Sequence, residues 1–252
     1  MSNYLVIAKE VASKEFRSFF NSPSGYLFLA AFSGAVLFNF FWLEIFFARN
    51  IADVRPLFEG LPVLLIFLIA AITMRSWSEE LRSGTLESLL TSPSPTSSLV
   101  LGKFLGNWML VLLALAMTLP IPISVSLIGD IDWGPVIGGY VASAFLAAAY
   151  ISIGLCMSAR TDNPIVALIL TSLTCGIFFL VGSDLLGSLF GYHIGDWLSL
   201  LGTGSRFDAI SKGILDLRDL YYYVTVVGIF LTLNLLGLQE LRWSGNPLNE
   251  AH

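Results

Sequence analysis

Six long apolar runs fix what this chain can fold into: Gly25 to Phe47, Leu57 to Met74, Ser98 to Ile128, Trp133 to Ser158, Pro164 to Gly182 and Leu220 to Leu241. At about 1.5 Å per helical residue, each is long enough to cross a hydrocarbon core of roughly 30 Å. Composition agrees, since 56% hydrophobic and 12% charged residues leave too little polar surface for a water-soluble domain. The expectation is an all-α membrane protein, one transmembrane domain over residues 1–252, with six crossings that return both termini to one side. Pro120 and Pro122 should kink or break the third crossing.

The largest interruption lies between the second and third runs. Arg75 to Pro93 reads RSWSEELRSGTLESLLTSP, with Glu79, Glu80, Glu87, Arg75 and Arg82 inside one short segment. Ser76 and Glu79 have the spacing of a capping box, which starts a helix at Trp77. Gly84 ends or bends it, Thr85 caps a second helix with Glu87 in its first turn, and Pro93 and Pro95 stop that one. A plain solvated loop is the simpler alternative. Two capped helices with a mixed face of Trp77, Leu81, Leu86, Leu89 and Leu90 instead suit docking into the groove of a partner.

Upstream of the first crossing, Tyr4 to Phe20 places Leu5, Ala8, Ala12, Phe16 and Phe19 on one helical side and Lys9, Ser13, Lys14 and Arg17 on the other. That pattern predicts an amphipathic helix lying in the membrane interface, ended by Asn21, Ser22 and Pro23. A soluble helix facing a partner is the other possibility. Arg17, Arg75, Arg160 and Arg242 stand at crossing ends on one side, whereas the turn carrying Asp130 and Asp132 has no basic residue. The positive-inside rule therefore puts both termini and the polar segment in the cytosol.

Ser183 to Asp219 is then external. Its first half is rich in leucine and aromatic residues, which suggests helices dipping into the membrane edge. Its second half reads as a helix with Ser205 as N-cap, Asp208 three residues on, and Phe207, Ile210, Ile214 and Leu217 on one face. Glu44 and Glu59, at the outer ends of the first two crossings, are possible path-lining carboxylates. Snorkelling to headgroups, with Arg49 or Arg55 as a partner, explains them more simply. Gly139, Ser143 and Ala147 recur four apart, which serves packing within a subunit as well as dimerisation.

Other classes fit poorly. A net charge of −5 with scattered Lys and Arg gives no footprint for nucleic acid. Cys156, Cys175, His193 and His252 lack the companions that build a metal site. Gly102 and Lys103 are followed by Phe104, without the upstream glycine and following hydroxyl of a phosphate loop, so the chain should not bind or hydrolyse ATP itself. An intramembrane hydrolase using Ser205 and His193 would need a carboxylate to orient the histidine, and capping already explains Ser205. No short apolar leader precedes the charged N-terminal stretch, so no cleaved signal peptide is expected.

Glu80, Gly84, Thr85, Glu87, Leu90 and Pro93, followed by Leu101, Gly102 and Lys103, resemble the coupling-helix signature of type-2 ABC exporter permeases, E-x-x-x-G-T-x-E-x-L-L-x-x-P and then L-G-K. The resemblance implies that the first helix is an elbow helix and that the polar segment is a pair of coupling helices. Trp77, Glu79, Glu80, Leu81, Gly84, Thr85, Glu87 and Leu90 would dock a separate ABC ATPase dimer, which holds the ATP and Mg. It also implies a second permease copy or a homologous permease, an external hairpin before the last crossing, and residence in the bacterial inner membrane. Phe207, Gly213, Leu217 and Asp219 fall as in the GldF-like branch, although Arg206 stands where that branch has histidine. That branch implies a gliding-related transport role and a GldG-like accessory subunit. The alternative function is a non-transporting scaffold that passes ATPase motion to an external partner.

Overall fold

Over its described residues each apolar run is mainly helical in the computed structural model, which describes residues 2–44, 53–86, 89, 95–181, 202–213 and 216–243; among these there is no strand. Helix α1 is Ser2–Phe20 and α2 is Pro23–Phe38, which continues into a π-helical turn at Asn39–Leu43. Next come α3 (Arg55–Thr73), the short α4 (Ser78–Arg82), α5 (Thr96–Ala116) and α6 (Pro120–Ser126). The chain goes on through α7 (Trp133–Ser158), α8 (Pro164–Val181), α9 (Thr203–Ser211) and α10 (Leu217–Trp243). Among the described residues, six stretches are long and apolar enough to cross a membrane: Gly25–Leu43, Arg55–Arg82, Thr96–Ser126, Trp133–Ser158, Pro164–Val181 and Leu217–Leu241. The protein is a multi-pass membrane protein.

The expected break in the third crossing is present. Helix α5 ends at Ala116, a turn follows, and α6 begins on Pro120, where a missing N–H costs nothing. The second crossing begins earlier than its apolar run, at Arg55, and runs through a turn into α4.

Helix α7 is the axis of the bundle. Its most apolar window is 78% buried, against 61% for the α3 crossing and 17–22% for the crossings of α2, α8 and α10. Small residues explain why: the ring of Phe58 occupies the place a Cβ would take on Gly139, and Ser143 and Ala147 are wholly buried. Gly139 therefore packs within the subunit, against α3. The peripheral helices leave Phe38, Trp42, Ile169, Leu173, Leu233 and Leu236 exposed, the face a lipid solvent covers.

Helix α1 divides its apolar residues differently from the expectation. Ala8 and Ala12 are buried, but against α5 and not in lipid, and Leu5 is exposed. A Cβ on Gly102 would meet Val11 at 2.6 Å and the Ala8 carbonyl at 2.9 Å, and one on Gly106 would meet Glu15 at 2.8 Å and the Ala12 carbonyl at 2.9 Å. Two alanines four apart thus face two glycines four apart, the pairing that brings helix backbones closest. That contact sets Glu15 beside the polar segment.

Candidate functional site

Lys103 organises the polar end of the bundle. It sits on α5, is 4% exposed, and its ammonium donates to Glu15 Oε1 at 2.5 Å, Glu80 Oε1 at 2.8 Å and the Ser76 carbonyl at 2.6 Å. An ammonium has three N–H donors, and all three are used. Its partners come from α1, from α4 and from the turn after α3, so one side chain ties four elements together. The Trp77 ring lies under the same nitrogen, 4.7 Å from centroid to Nζ. A lysine this deep is tolerated because its charge is paired and hydrogen-bonded. Asn107, one turn further along α5, donates to Ser76 Oγ at 3.3 Å and to the Lys103 carbonyl at 2.9 Å.

A second fastening comes from α7. Ser158 Oγ accepts from the backbone N–H of Trp77 at 3.1 Å and of Ser78 at 3.2 Å, and donates to the Met74 carbonyl at 3.2 Å. The free amides at the start of α4 are therefore satisfied from across the bundle. This corrects the capping box: α4 begins at Ser78, its N-cap Trp77 makes no side-chain cap bond, and the Ser76 hydroxyl is occupied by Asn107. Gly84 ends the helix as expected, at φ 70°, a left-handed conformation in which an L side chain is strained. Thr85 is not an N-cap, because Thr85 and Leu86 are already helical. Its hydroxyl hydrogen-bonds with Ser83 Oγ at 2.8 Å and donates to the Glu80 carbonyl at 3.5 Å.

The segment thus has an inner and an outer side. Trp77 is fully buried, Leu86 is buried and Glu80 faces Lys103, so the expected insertion of the Trp77 ring into a partner's groove is not available to it here. Leu81 and Leu89 are half-buried against the core. Glu79, Arg82, Ser83, Gly84 and Thr85 form the exposed edge, with Arg75 and Glu79 paired at 3.3 Å. Glu87, Leu90 and Pro93 lie outside the described residues. Among the residues brought together here, sequence reasoning gave no role to Glu15, Asn107 or Ser158, and knew Lys103 only as the end of a motif. A lysine and an asparagine four apart at the start of an apolar run were the available signal.

At the opposite end, α9 is fixed to the bundle by Thr203, whose carbonyl accepts from Tyr223 Oη at 3.0 Å and whose hydroxyl meets Tyr150 Oη at 3.2 Å. The helix begins at Thr203 with Gly202 as N-cap, so Ser205 lies inside it and is not its cap. Phe207 and Ile210 are buried as expected, and Gly213 ends the helix at φ 86°. Leu217, expected on the same face, is instead the exposed first residue of α10. Ile214, His193 and the expected membrane-dipping stretch over 183–201 lie outside the described residues. Arg206 donates to Asp219 Oδ1 at 2.7 Å and stacks over Tyr222 at 4.3 Å. Glu44 is half-buried just past the π-helical turn; Glu59 is exposed on α3 and makes no ion pair with Arg55. Arg49 lies outside the described residues.

Six apolar crossings with α7 at their centre, and a charged segment pinned at one end by an ion-pair hub, define a helical membrane protein. The chain matches the family described as ABC-2 family transporter protein over residues 5–236, and it belongs to that family. It is accordingly the membrane-embedded permease class of ABC transporter subunit, a class without its own ATPase domain that works with an ABC ATPase. No individual curated protein matches the chain.

Proposed function

We propose that this chain is the permease of an ATP-driven exporter and that residues 75–90 are the element through which a separate ATPase, holding ATP and Mg, moves it. The observation that carries this is the double fastening of α4, to α1 and α5 through Lys103 and to α7 through Ser158. A loop merely connecting two crossings has no need of either. A segment clamped on its inner side transmits a push on its outer side as rigid-body motion, because packed helices shift as units. The docking edge in this reading is Glu79, Arg82, Gly84 and Thr85, with Leu81 at its margin; Glu87 and Leu90 join it on the sequence motif alone. Trp77 and Glu80 act from behind it as the anchor. This end is cytosolic, and α1 is the elbow helix. A second permease copy completes the path. A gliding-related cargo and a GldG-like accessory subunit follow only if the GldF-like likeness at Phe207, Gly213 and Asp219 extends to function.

The test is co-purification with the nucleotide-binding subunit. Reversing Glu80 would break the internal hub and confuse the result, so the informative variant is Glu79→Lys with Arg82→Glu, both on the exposed edge. Association is expected to weaken at least tenfold while the permease keeps its unfolding midpoint. Full association together with full stimulation of ATP hydrolysis in that variant overturns the docking assignment.

A further inference from the structure

The bundle settles buried hydroxyls within single helices. Thr73 donates to the Ile69 carbonyl at 2.8 Å, Ser143 to the Gly139 carbonyl at 2.7 Å and Ser152 to the Ala149 carbonyl at 2.7 Å. Thr171 on α8 and Asn234 on α10 break that habit. They are 0% and 1% exposed, and among the described residues neither Thr171 Oγ1 nor either polar atom of the Asn234 amide has a hydrogen-bond partner. The Ser33 and Ser172 hydroxyls are orphaned too, but those residues are only half-buried. An amide carries two donors and two lone pairs, so leaving it unmet in an apolar layer raises the free energy of the packed bundle. The two groups lie along one seam. Helices α8 and α10 run antiparallel, each leaning on α7 more than on the other, and they touch edge to face through Phe178 and Phe230 at 5.8 Å between ring centroids. Thr171 is two turns from Phe178 on the same face, and Asn234 is one turn from Phe230. Both lie on the hub side of the aromatic pair, about 10 Å and about 6 Å along their helices, so their depths differ by only about 4 Å.

We propose, on the basis of the permease function above, that the hub-side half of α10 swings away from α8 during the transport cycle and that Asn234 and Thr171 then line a water-filled path. The pivot is the outer end of α10, where Tyr223 donates to the Thr203 carbonyl and Asp219 accepts from Arg206. The direction of the effect follows from the burial. Orphaned polar groups are costly only while the seam is shut, and water meets them once it opens. The seam between α3 and α7 has no such bias, because Thr73, packed against Gly154, is already bonded to Ile69. Violations of the rule that buried polar groups are paired gather at functional sites, and static packing gives an orphaned amide nothing in return. The wetted surface is neutral, since α8 carries no charged residue and α10 none between Asp219 and Glu240.

The test uses the full-length chain carrying Asn234→Cys, with Cys156→Ala and Cys175→Ala, co-purified with its ATPase in nanodiscs and exposed to a membrane-impermeant cationic methanethiosulfonate. Modification is expected to run about tenfold faster during ATP turnover than without nucleotide, because the reactive thiolate forms in water and not in an apolar interior. Leu236→Cys, on the exposed face of the same helix, is expected to stay unreactive in lipid under both conditions. Thr171→Val keeps the side-chain shape and removes only an orphaned hydroxyl, so it is expected to raise the unfolding midpoint of the permease by about 2 °C. That measurement keeps the test valid if Asn234→Cys misfolds. Labelling of Asn234→Cys at the same rate in both conditions, or in neither, overturns the seam, as does an unchanged or lower midpoint for Thr171→Val. Association and ATP hydrolysis that survive while Asn234→Cys stays unreactive sink the seam and spare the permease reading. An ATPase that fails to associate with the parent chain sinks the permease reading and the seam with it.

Discussion

Replacing Glu15 and Glu80 by Gln, singly and together, tests the hub most sharply, because the geometry makes the two carboxylates partly redundant. Both accept from one nitrogen, so their oxygens are at most about 5 Å apart and repel by about 3 kcal/mol at an effective dielectric of ~20. Removing either relieves that repulsion and leaves Lys103 one charged partner, and the net cost is expected to stay under about 1 kcal/mol. Removing both leaves an ammonium only 5% exposed with neutral acceptors alone, for a loss of about 3 kcal/mol. The double variant should therefore lose at least about 1 kcal/mol more than the two single losses together. Lys103→Met alone should be as damaging as the double variant, since it leaves two carboxylates facing each other. Adding Lys103→Met to the Gln pair should bring stability back near the starting value, because an apolar side chain of similar volume replaces a buried ionic cluster at little cost. Equilibrium unfolding of the full chain in mixed micelles with rising SDS, followed by far-UV circular dichroism, gives these differences. Additive single losses, or a Lys103→Met loss below about 1 kcal/mol, would refute the shared-charge account.

Ser158→Ala strips the cap from two amides and should cost about 1 to 2 kcal/mol, with faster hydrogen exchange confined to Trp77 and Ser78. Gly102→Val forces α1 off α5 and should cost about 1 to 3 kcal/mol in the same unfolding experiment, with protease cleavage of α1 appearing at concentrations that spare the parent. Arg206→Ala and Asp219→Ala each abandon a partner that is 15–17% exposed; each should cost about 2 kcal/mol, and the double variant should cost less than their sum.

The crossings were legible because lipid admits few backbone solutions, and an apolar run of sufficient length is already a helix. Gly84 was legible for a similarly local reason, since its left-handed φ follows from ending a helix among polar residues. The capping of α4 was not. The spacing of Ser76 and Glu79 satisfies a local rule, but Asn107 engages the Ser76 hydroxyl and Ser158, about eighty residues away, reaches the same amides. Nothing within one segment reports such a competition. The mixed face of Trp77, Leu81, Leu86 and Leu89 failed as a guide for a different reason: an amphipathic helix looks alike whether its apolar side meets a partner or its own core. Arg206, a departure from the histidine of the resembled branch, becomes intelligible only beside Asp219, thirteen residues on and paired with it.

The two fastenings of α4 are unequal, and the inequality bears on how a push would travel. The Ser158 contact is made of neutral hydrogen bonds to backbone amides, short-ranged and geometrically strict. The Lys103 contact is electrostatic, with two partly exposed carboxylates, and falls off slowly as distances lengthen. A displacement of about 1 Å would break the first and only weaken the second, since a neutral bond weakens steeply with misalignment. Under the proposed function, α4 would therefore part from α7 before it parts from α1 and α5. The first movement on docking would separate a unit of α1, α4 and α5 from the central helix. A cysteine pair placed across α4 and α7 should then lose cross-linking when the ATPase binds nucleotide, while a pair across α1 and α5 keeps it. Loss at both pairs, or at neither, would mean that the hub and the cap yield together and that α7 moves with the segment.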